Sequence, residues 1–185
     1  MSFTEKQPKP PDPDHVRYTA FPFPAYRFVP GLLPHPRRHP RGHSAEQPEP
    51  SPPPIDPERW HESETYLYGV DLFNFAYWWE CHEELESLWH VVGHSSRAGL
   101  FLQGIVQVAA ANLRRFMEPE NSQAGVSLMR KGLAKLSDFS GIYMGIDVGR
   151  FRSMTEDYFR GAREIPPTIT LIGFPSGKRP RDDLK

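Results

Sequence analysis

The chain has 185 residues and a formal net charge of −1, from 22 Lys and Arg residues against 23 Asp and Glu residues. This length suits one domain with accessory segments, and the even charge argues against a generic nucleic-acid binder, which normally carries a basic excess. Two glutamines interrupt the longest apolar stretch, residues 100–111, which is too short to span a membrane. There is no secretory-signal pattern, and the only cysteine, Cys81, can form no intrachain disulfide. We therefore expect a soluble, cytoplasmic protein.

Proline divides the chain, because 16 of its 21 prolines lie in residues 1–57. Proline removes a backbone donor and disfavours helix at the residue before it, so this region is predicted to be extended or turned. Aromatic residues are frequent over residues 21–30, unlike in a disordered tail. The predicted organisation is a Pro-rich extended segment at 1–55, of which 21–44 packs on the domain, a helical bundle domain at 56–163, and a C-terminal tail at 164–185.

From Asp56 onward, apolar residues recur at the spacing of one helix face. Asp56 is typical of a helix start, since it can cap the backbone and is followed by a proline and an acid. Residues 74–76 are predicted to turn into a second helix, and Ser95 or Ser96 to begin a third that ends near Met117. This third helix is apolar around much of its circumference, so we expect it at the centre of the fold.

The remaining patterns predict two more helices and no sheet. Asn121 or Ser122 starts the fourth helix, and Asp147 caps a fifth that ends at Gly161. Residues 168–172 are predicted to form one short strand or a second packed extended segment. Short connections favour antiparallel neighbours. The sequence therefore predicts an all-α fold, a compact antiparallel bundle of about five helices with a Pro-rich extended N-terminal strap.

Charge is distributed unevenly along the predicted bundle. Residues 58–92 contain eight acids and one base, whereas residues 97–135 contain six bases and two acids. The simplest interpretation is that the acidic first hairpin packs beside the basic third and fourth helices. The alternative is a cation site within the acidic hairpin.

The second predicted helix carries the most unusual segment of the chain, residues 77–90. At about 100° per residue, one border of its apolar stripe carries a polar pair and two tryptophans: His82, Glu86, Trp79 and Trp89. His82 and Glu86 stand four residues apart, so their side chains can meet. Burial raises the pKa of a carboxyl group, and a neighbouring carboxylate raises that of histidine. Such conditions permit metal binding or acid–base chemistry.

Three interpretations of this cluster stay open. It can be a structural hydrogen-bond network that fixes helix register, with Glu83 or Glu86 accepting from a tryptophan N–H. It can be a binding site, to which two glutamines of the third helix contribute. The predicted ligand-binding set is Trp79, His82, Glu83, Glu86, Trp89, Gln103 and Gln107. The third interpretation is catalysis, with Glu83 as the candidate general base.

One divalent metal ion is the cofactor that this cluster can accommodate. The run from His82 to Glu86 begins like the His-Glu-x-x-His zinc motif but ends in a glutamate. One histidine with carboxylates suits a harder ion better than zinc. Two histidines of the strap can complete the site, which gives the metal-ligand candidates His82, Glu86, His35 and His43. The alternative for this part of the strap is a basic polar turn that pairs with the acidic hairpin.

Three stretches of the chain resemble a known bacterial and archaeal family. They are Asp71-Leu72-Phe73-Asn74, then Tyr77-Trp78-Trp79-Glu80-Cys81-His82-Glu83 with Glu86 and Trp89, and Leu102-Gln103-Gly104-Ile105-Val106-Gln107-Val108-Ala109-Ala110-Ala111. In this order they closely resemble the family called domain of unknown function 309. Residues 30–36 and 42–44 also resemble the N-terminal extension of its longer subgroup. The chain departs from the usual family pattern at Ala76, Cys81 and Leu85.

The resemblance implies a small helical fold and no activity, because the family is named for having none assigned. The leading hypothesis is therefore a non-enzymatic module that binds a small molecule, metal ion or peptide between the second and third helices, under the strap. The alternatives are a metal-assisted hydrolase that uses the same cluster, and a purely structural or protein-interaction domain. No nucleic-acid or membrane partner is predicted, and the sequence makes no prediction of oligomeric state.

Overall fold

Five α-helices and a Pro-rich N-terminal segment make up the fold in the computed structural model, which describes residues 7–48, 51–119 and 123–175. The helices are α1 (Glu64–Asn74), α2 (Trp78–Val92), α3 (Arg97–Met117), α4 (Gln123–Leu136) and α5 (Val148–Arg160). Neighbouring helices from α1 to α5 contact one another, and α3 lies between α2 and α4. The predicted all-α fold is confirmed. No helix in the described ranges combines the length and the apolar character that a membrane crossing needs.

A very small sheet joins α4 to α5. Its two strands are β1 (Ile142–Tyr143) and β2 (Ile146–Asp147), which pair antiparallel. The sequence patterns predicted no sheet here, because strands of two residues are too short for apolar and polar positions to alternate visibly. The hairpin leads directly into α5, so it orients the last helix.

Two glycines allow α3 and α4 to approach closely. A Cβ atom at Gly132 would lie 2.8 Å from the carbonyl oxygen of Gly104, and one at Gly104 would lie 2.7 Å from the side chain of Leu136. Ordinary van der Waals contacts are longer, so the missing side chains set the distance between the two backbones. Most apolar residues of α3 are buried, as predicted from its apolar circumference.

The ends of α3 and α5 follow their local signals. Ser96 begins α3, and its side chain accepts a backbone N–H of the first turn at 2.9 Å. The side chain of Asp147 caps α5 in the same way and accepts the backbone N–H of Arg150 at 3.0 Å. Gly161 ends α5 in the left-handed conformation, with φ at 77°. All three predictions are confirmed.

The first helix begins later than the sequence predicted. Asp56 does act as a cap, but it caps a separate 3₁₀ helix, Pro57–Glu62. α1 then begins at a cap of its own, Ser63. The predicted start of the fourth helix, Asn121 or Ser122, lies outside the described residues.

The N-terminal segment 7–48, called the strap below, packs along α1 and α2. Two successive backbone N–H groups, beginning with that of Tyr18, donate to the Asp71 carboxylate at 2.8 and 2.9 Å. The backbone N–H of Phe28 donates to Glu80 at 2.9 Å. An extended chain has no internal partners for its backbone donors. One buried carboxylate on each helix of the hairpin therefore holds the strap in place.

Residues 164–175, called the C-terminal segment below, pack as a second extended element, and no strand forms over 168–172. The side chain of Asn74 binds both backbone polar groups of Ile169, at 2.7 and 2.8 Å. The backbone N–H of Leu171 donates to the hydroxyl of Tyr18 at 2.8 Å. The strap and the C-terminal segment therefore meet each other beside α1.

The acidic hairpin formed by α1 and α2 finds its basic partners in the strap. Arg17 lies 3.8 Å from Asp71, and His43 lies 3.1 Å from Glu80. α2 does pack on α3, but no ion pair within the described ranges joins the hairpin to α3 or α4. The predicted packing of the hairpin is therefore present at α3, but the basic groups that reach its buried carboxylates, Asp71 and Glu80, come from the strap.

Candidate functional site

Three of the predicted site residues meet on one face of α2. His82 Nε2 lies 3.5 Å from Glu86 Oε2, and both side chains are about one-third exposed. Glu83 adds a carboxylate oxygen, so that one donor atom from each of the three residues lies within 4.8 Å of the others. Burial raises the pKa of Glu83, while a positive charge on His82 lowers it. Each of these donors can ligate a divalent cation.

The two strap histidines do not join this group. The ring of His35 lies edge-on to Trp79 at 5.3 Å, and its Nδ1 accepts two backbone N–H groups of the strap at 3.2 and 3.3 Å. Burial lowers the pKa of His35. His43 Nε2 lies 3.1 Å from Glu80 Oε1, on a different face of α2 from His82. Among the described residues, the only metal-compatible group is thus formed by α2 alone.

Within the described ranges, no hydrogen bond joins Trp89, Gln103 or Gln107 to this group. Trp89 stacks on His94 at 4.1 Å, and its indole N–H is buried without an acceptor in the described part of the chain. The expectation that Glu83 or Glu86 accepts from a tryptophan is therefore not met for Trp89. Gln107 packs beside α4. A Cβ atom added to Gly132 of α4 would lie 3.2 Å from the Cβ of Gln107. Half-buried Gln103 lies one turn earlier on that face.

An apolar groove of about 350 Å³ opens between α2, α3 and α4, next to His82. We call it the α2–α4 groove. Tryptophan and aliphatic side chains form most of its walls, His82 and Arg114 are its basic groups, and the strap contributes one proline at the edge. Its lining residues are Pro30, Trp78, Trp79, His82, Ala110, Leu113, Arg114, Met117 and Leu128. Residues of three helices and of the strap therefore line the groove, which lies beside the predicted cluster.

The sequence prediction missed two carboxyl groups on the other side of α2. Glu80 is buried and binds the strap, and burial raises the pKa of Glu84 to about 7, although the charge of Arg37 opposes this shift. A signal for Glu84 was present. On a helical wheel it borders the apolar stripe on the side opposite His82, at the same angle from the stripe centre. Nothing local marks Glu80, because its partners come from the distant strap.

Residues 66–126 match a family model described as Domain of unknown function (DUF309). This segment belongs to the DUF309 family. The resemblance stated from the sequence motifs is thereby confirmed for α1 to α3. The DUF309 segment contains the His82 group and most of the α2–α4 groove, whereas the strap lies outside it, so the longer subgroup stays a prediction. No curated protein matches the chain.

Proposed function

We propose that this protein is a non-enzymatic binding module that takes a small amphipathic molecule into the α2–α4 groove. One observation carries the proposal: an apolar groove of about 350 Å³ lies where three helices and the strap meet, beside the polar cluster. Small-molecule sites have volumes of about 300–1,000 Å³ and are mostly apolar with a few polar groups that fix orientation. The ligand's apolar body would lie against Trp78 and Trp79.

The polar end of the ligand is expected to be anionic, because the two titratable groups that line the groove are basic. His82 is paired with Glu86 at 3.5 Å, and Arg114 is paired with Glu118 at 2.9 Å. Both pairs are partly exposed, and pairs of this kind contribute at most about 1 kcal/mol. An anionic head can therefore replace either carboxylate at little cost.

Anilinonaphthalene sulfonate, which has apolar rings and an anionic group, is a suitable probe. Its fluorescence is expected to rise on mixing with the folded wild-type protein and to saturate. Ala110 lines the groove and Ala134 is exposed on α4, so Ala110→Trp fills the site and Ala134→Trp is the matched control. Loss of binding in the first variant alone supports the proposal. Equal binding by both variants, or no binding by the wild type, contradicts it.

A metal-assisted hydrolase is the second candidate, favoured by the three donor atoms of His82, Glu83 and Glu86 within 4.8 Å. In such an enzyme His82 and Glu86 would hold the ion, and Glu83 would act as general base. Elemental analysis of untagged wild type and His82→Ala separates the candidates. A binding module without metal predicts no stoichiometric metal in either protein. About one equivalent in the wild type, lost in the variant, would favour the hydrolase.

A further inference from the structure

A second cavity lies on the opposite side of Trp79, between the strap and the α1–α2 hairpin. It has a volume of about 430 Å³, and we call it the strap cavity. It shares only Trp79 with the α2–α4 groove. Strap residues 22–25 form one wall, and prolines there keep the backbone rigid. Three carboxylates of α2 line the cavity together with three aromatic rings: Glu80, Glu83, Glu84, Phe23, Tyr68 and Trp79.

One of these carboxylates has an oxygen that no donor of the described residues reaches. Glu80 is 6% exposed. Its Oε1 accepts the backbone N–H of Phe28 at 2.9 Å and lies 3.1 Å from His43 Nε2. Its Oε2 is buried and has no hydrogen-bond partner in the described part of the chain. A buried acceptor without a donor is costly, so a donor on a ligand that enters the cavity would stabilise this atom.

The charges around the cavity favour a cation. Arg37 and His43 face it from the strap, three carboxyl groups face it from α2, and the Tyr68 hydroxyphenyl group lines it from α1. Three carboxyl groups thus face one guanidinium and one imidazole across the cavity. A cationic ligand would balance the negative charge of this lining.

A metal ion fits this arrangement poorly. Within the described ranges, the group of donors close enough to share an ion contains neither Glu80 nor Glu84. An alkylammonium group carries three N–H donors that can reach separate carboxylates. Its alkyl chain can lie against aromatic rings, which also attract the charge. We propose that the strap cavity binds the primary ammonium group of a small alkylamine, held by the carboxylates of Glu80 and Glu84.

Heteronuclear NMR of the full chain with n-pentylamine tests this proposal. Saturable amide shifts are expected at Phe23, Ala25 and Ser44 of the strap and in α2 near Glu84. Pentanol has the same chain without the charge, and it should cause no comparable shifts. Equal shifts with the alcohol, or no saturable shift with the amine, would overturn the proposal. Shifts at Trp78 would instead indicate that the amine binds in the α2–α4 groove. The experiment therefore distinguishes the two proposed sites.

A variant gives a second test. Glu84→Gln keeps the shape of the side chain and removes its charge. The dissociation constant for n-pentylamine should therefore rise about tenfold. Glu164→Gln, at an exposed position outside the helices, is the control and should bind as the wild type does. Unchanged affinity in a folded Glu84→Gln protein would contradict the proposal. If that variant does not fold, the comparison of amine and alcohol on the wild type decides the question.

Discussion

Asp71, which is buried, and Glu84, which is partly buried, differ in how far their surroundings offset the loss of water around the carboxyl group. Asp71 accepts three hydrogen bonds from Tyr18 and Thr19, and these lower its pKa against the larger raising effect of burial. Glu84 is also desolvated, and within the described part of the chain only the charge of Arg37 opposes the rise of its pKa. Asp71 thus has the surroundings of a structural anchor.

Replacing Glu84 by glutamine is expected to stabilise the free protein above neutral pH. Burial raises the pKa of this carboxyl from 4.5 to about 7, so the folded protein binds the proton more tightly than the unfolded chain does. The free energy of unfolding therefore falls as the pH rises between these values, and the charged group continues to cost stability at higher pH. Glutamine has no charge to bury, so it escapes this cost.

Thermal unfolding at about pH 5 and about pH 8 measures this effect. The melting temperature of Glu84→Gln should exceed that of the wild type at the higher pH, and the difference should shrink strongly at the lower pH. Glu164→Gln, which changes an exposed carboxylate, should follow the wild type at both. A Glu84→Gln protein that is less stable than the wild type at about pH 8 would show that the carboxylate is well compensated.

At the scale of elements, the contact between α3 and α4 depends on glycine. Gly132→Ala places a methyl group 2.8 Å from the carbonyl oxygen of Gly104. Alanine favours helix by about 1 kcal/mol over glycine, yet forcing the two backbones apart costs about 1–3 kcal/mol. We expect a net loss of stability in urea-induced unfolding. Gly149→Ala in α5, where the added methyl group would lie 3.6 Å from the Asp147 carboxylate, is the matched control and should be neutral or stabilising.

An equal or greater stability of Gly132→Ala would contradict this account of the α3–α4 contact. It would mean that helix propensity dominates and that the two backbones can separate without loss. The result bears on function as well, because α3 and α4 form two walls of the α2–α4 groove. A shift between these helices would change the shape of that site.

The sequence predicted elements where the signal is local, and it missed contacts that join distant segments. Asp147 and Gly161 mark the two ends of α5 through their own side chain or backbone, so reading them needs no tertiary structure. His82 and Glu86 were paired because both stand on one helix. His43 and Glu80 lie 37 residues apart, and only the path of the strap decides that they meet. The pattern of prolines predicts an extended strap, but it does not predict where the strap runs across the helices.

At the scale of the whole molecule, the two extended segments meet at α1 and close the fold. Asn74 holds Ile169 by two hydrogen bonds, and the Tyr18 hydroxyl accepts from Leu171. Near the same helix, His15 Nε2 lies 3.0 Å from the carbonyl oxygen of Ile169. The strap therefore depends on the C-terminal segment as well as on the hairpin beneath it.

Replacing Asn74 by alanine is expected to destabilise the protein by about 1–3 kcal/mol, because the buried N–H of Ile169 loses its acceptor and the carbonyl oxygen keeps only its contact with His15. Asn112→Ala is a matched control, since Asn112 is also fully buried but its amide makes no hydrogen bond within the described ranges. It should cost clearly less in urea-induced unfolding. Equal losses for the two variants would show that packing, and not the contact with Ile169, explains the stability lost at Asn74.

The most direct test of the proposed binding site uses the four tryptophans of the chain. Their indole N–H signals are native reporters in heteronuclear NMR, and anilinonaphthalene sulfonate is the probe. Trp78 and Trp79 line the α2–α4 groove, whereas Trp60 does not. The account predicts saturable shifts of the Trp78 and Trp79 signals with little change at Trp60. Shifts at Trp60 alone, or equal small shifts of all four signals, would contradict it.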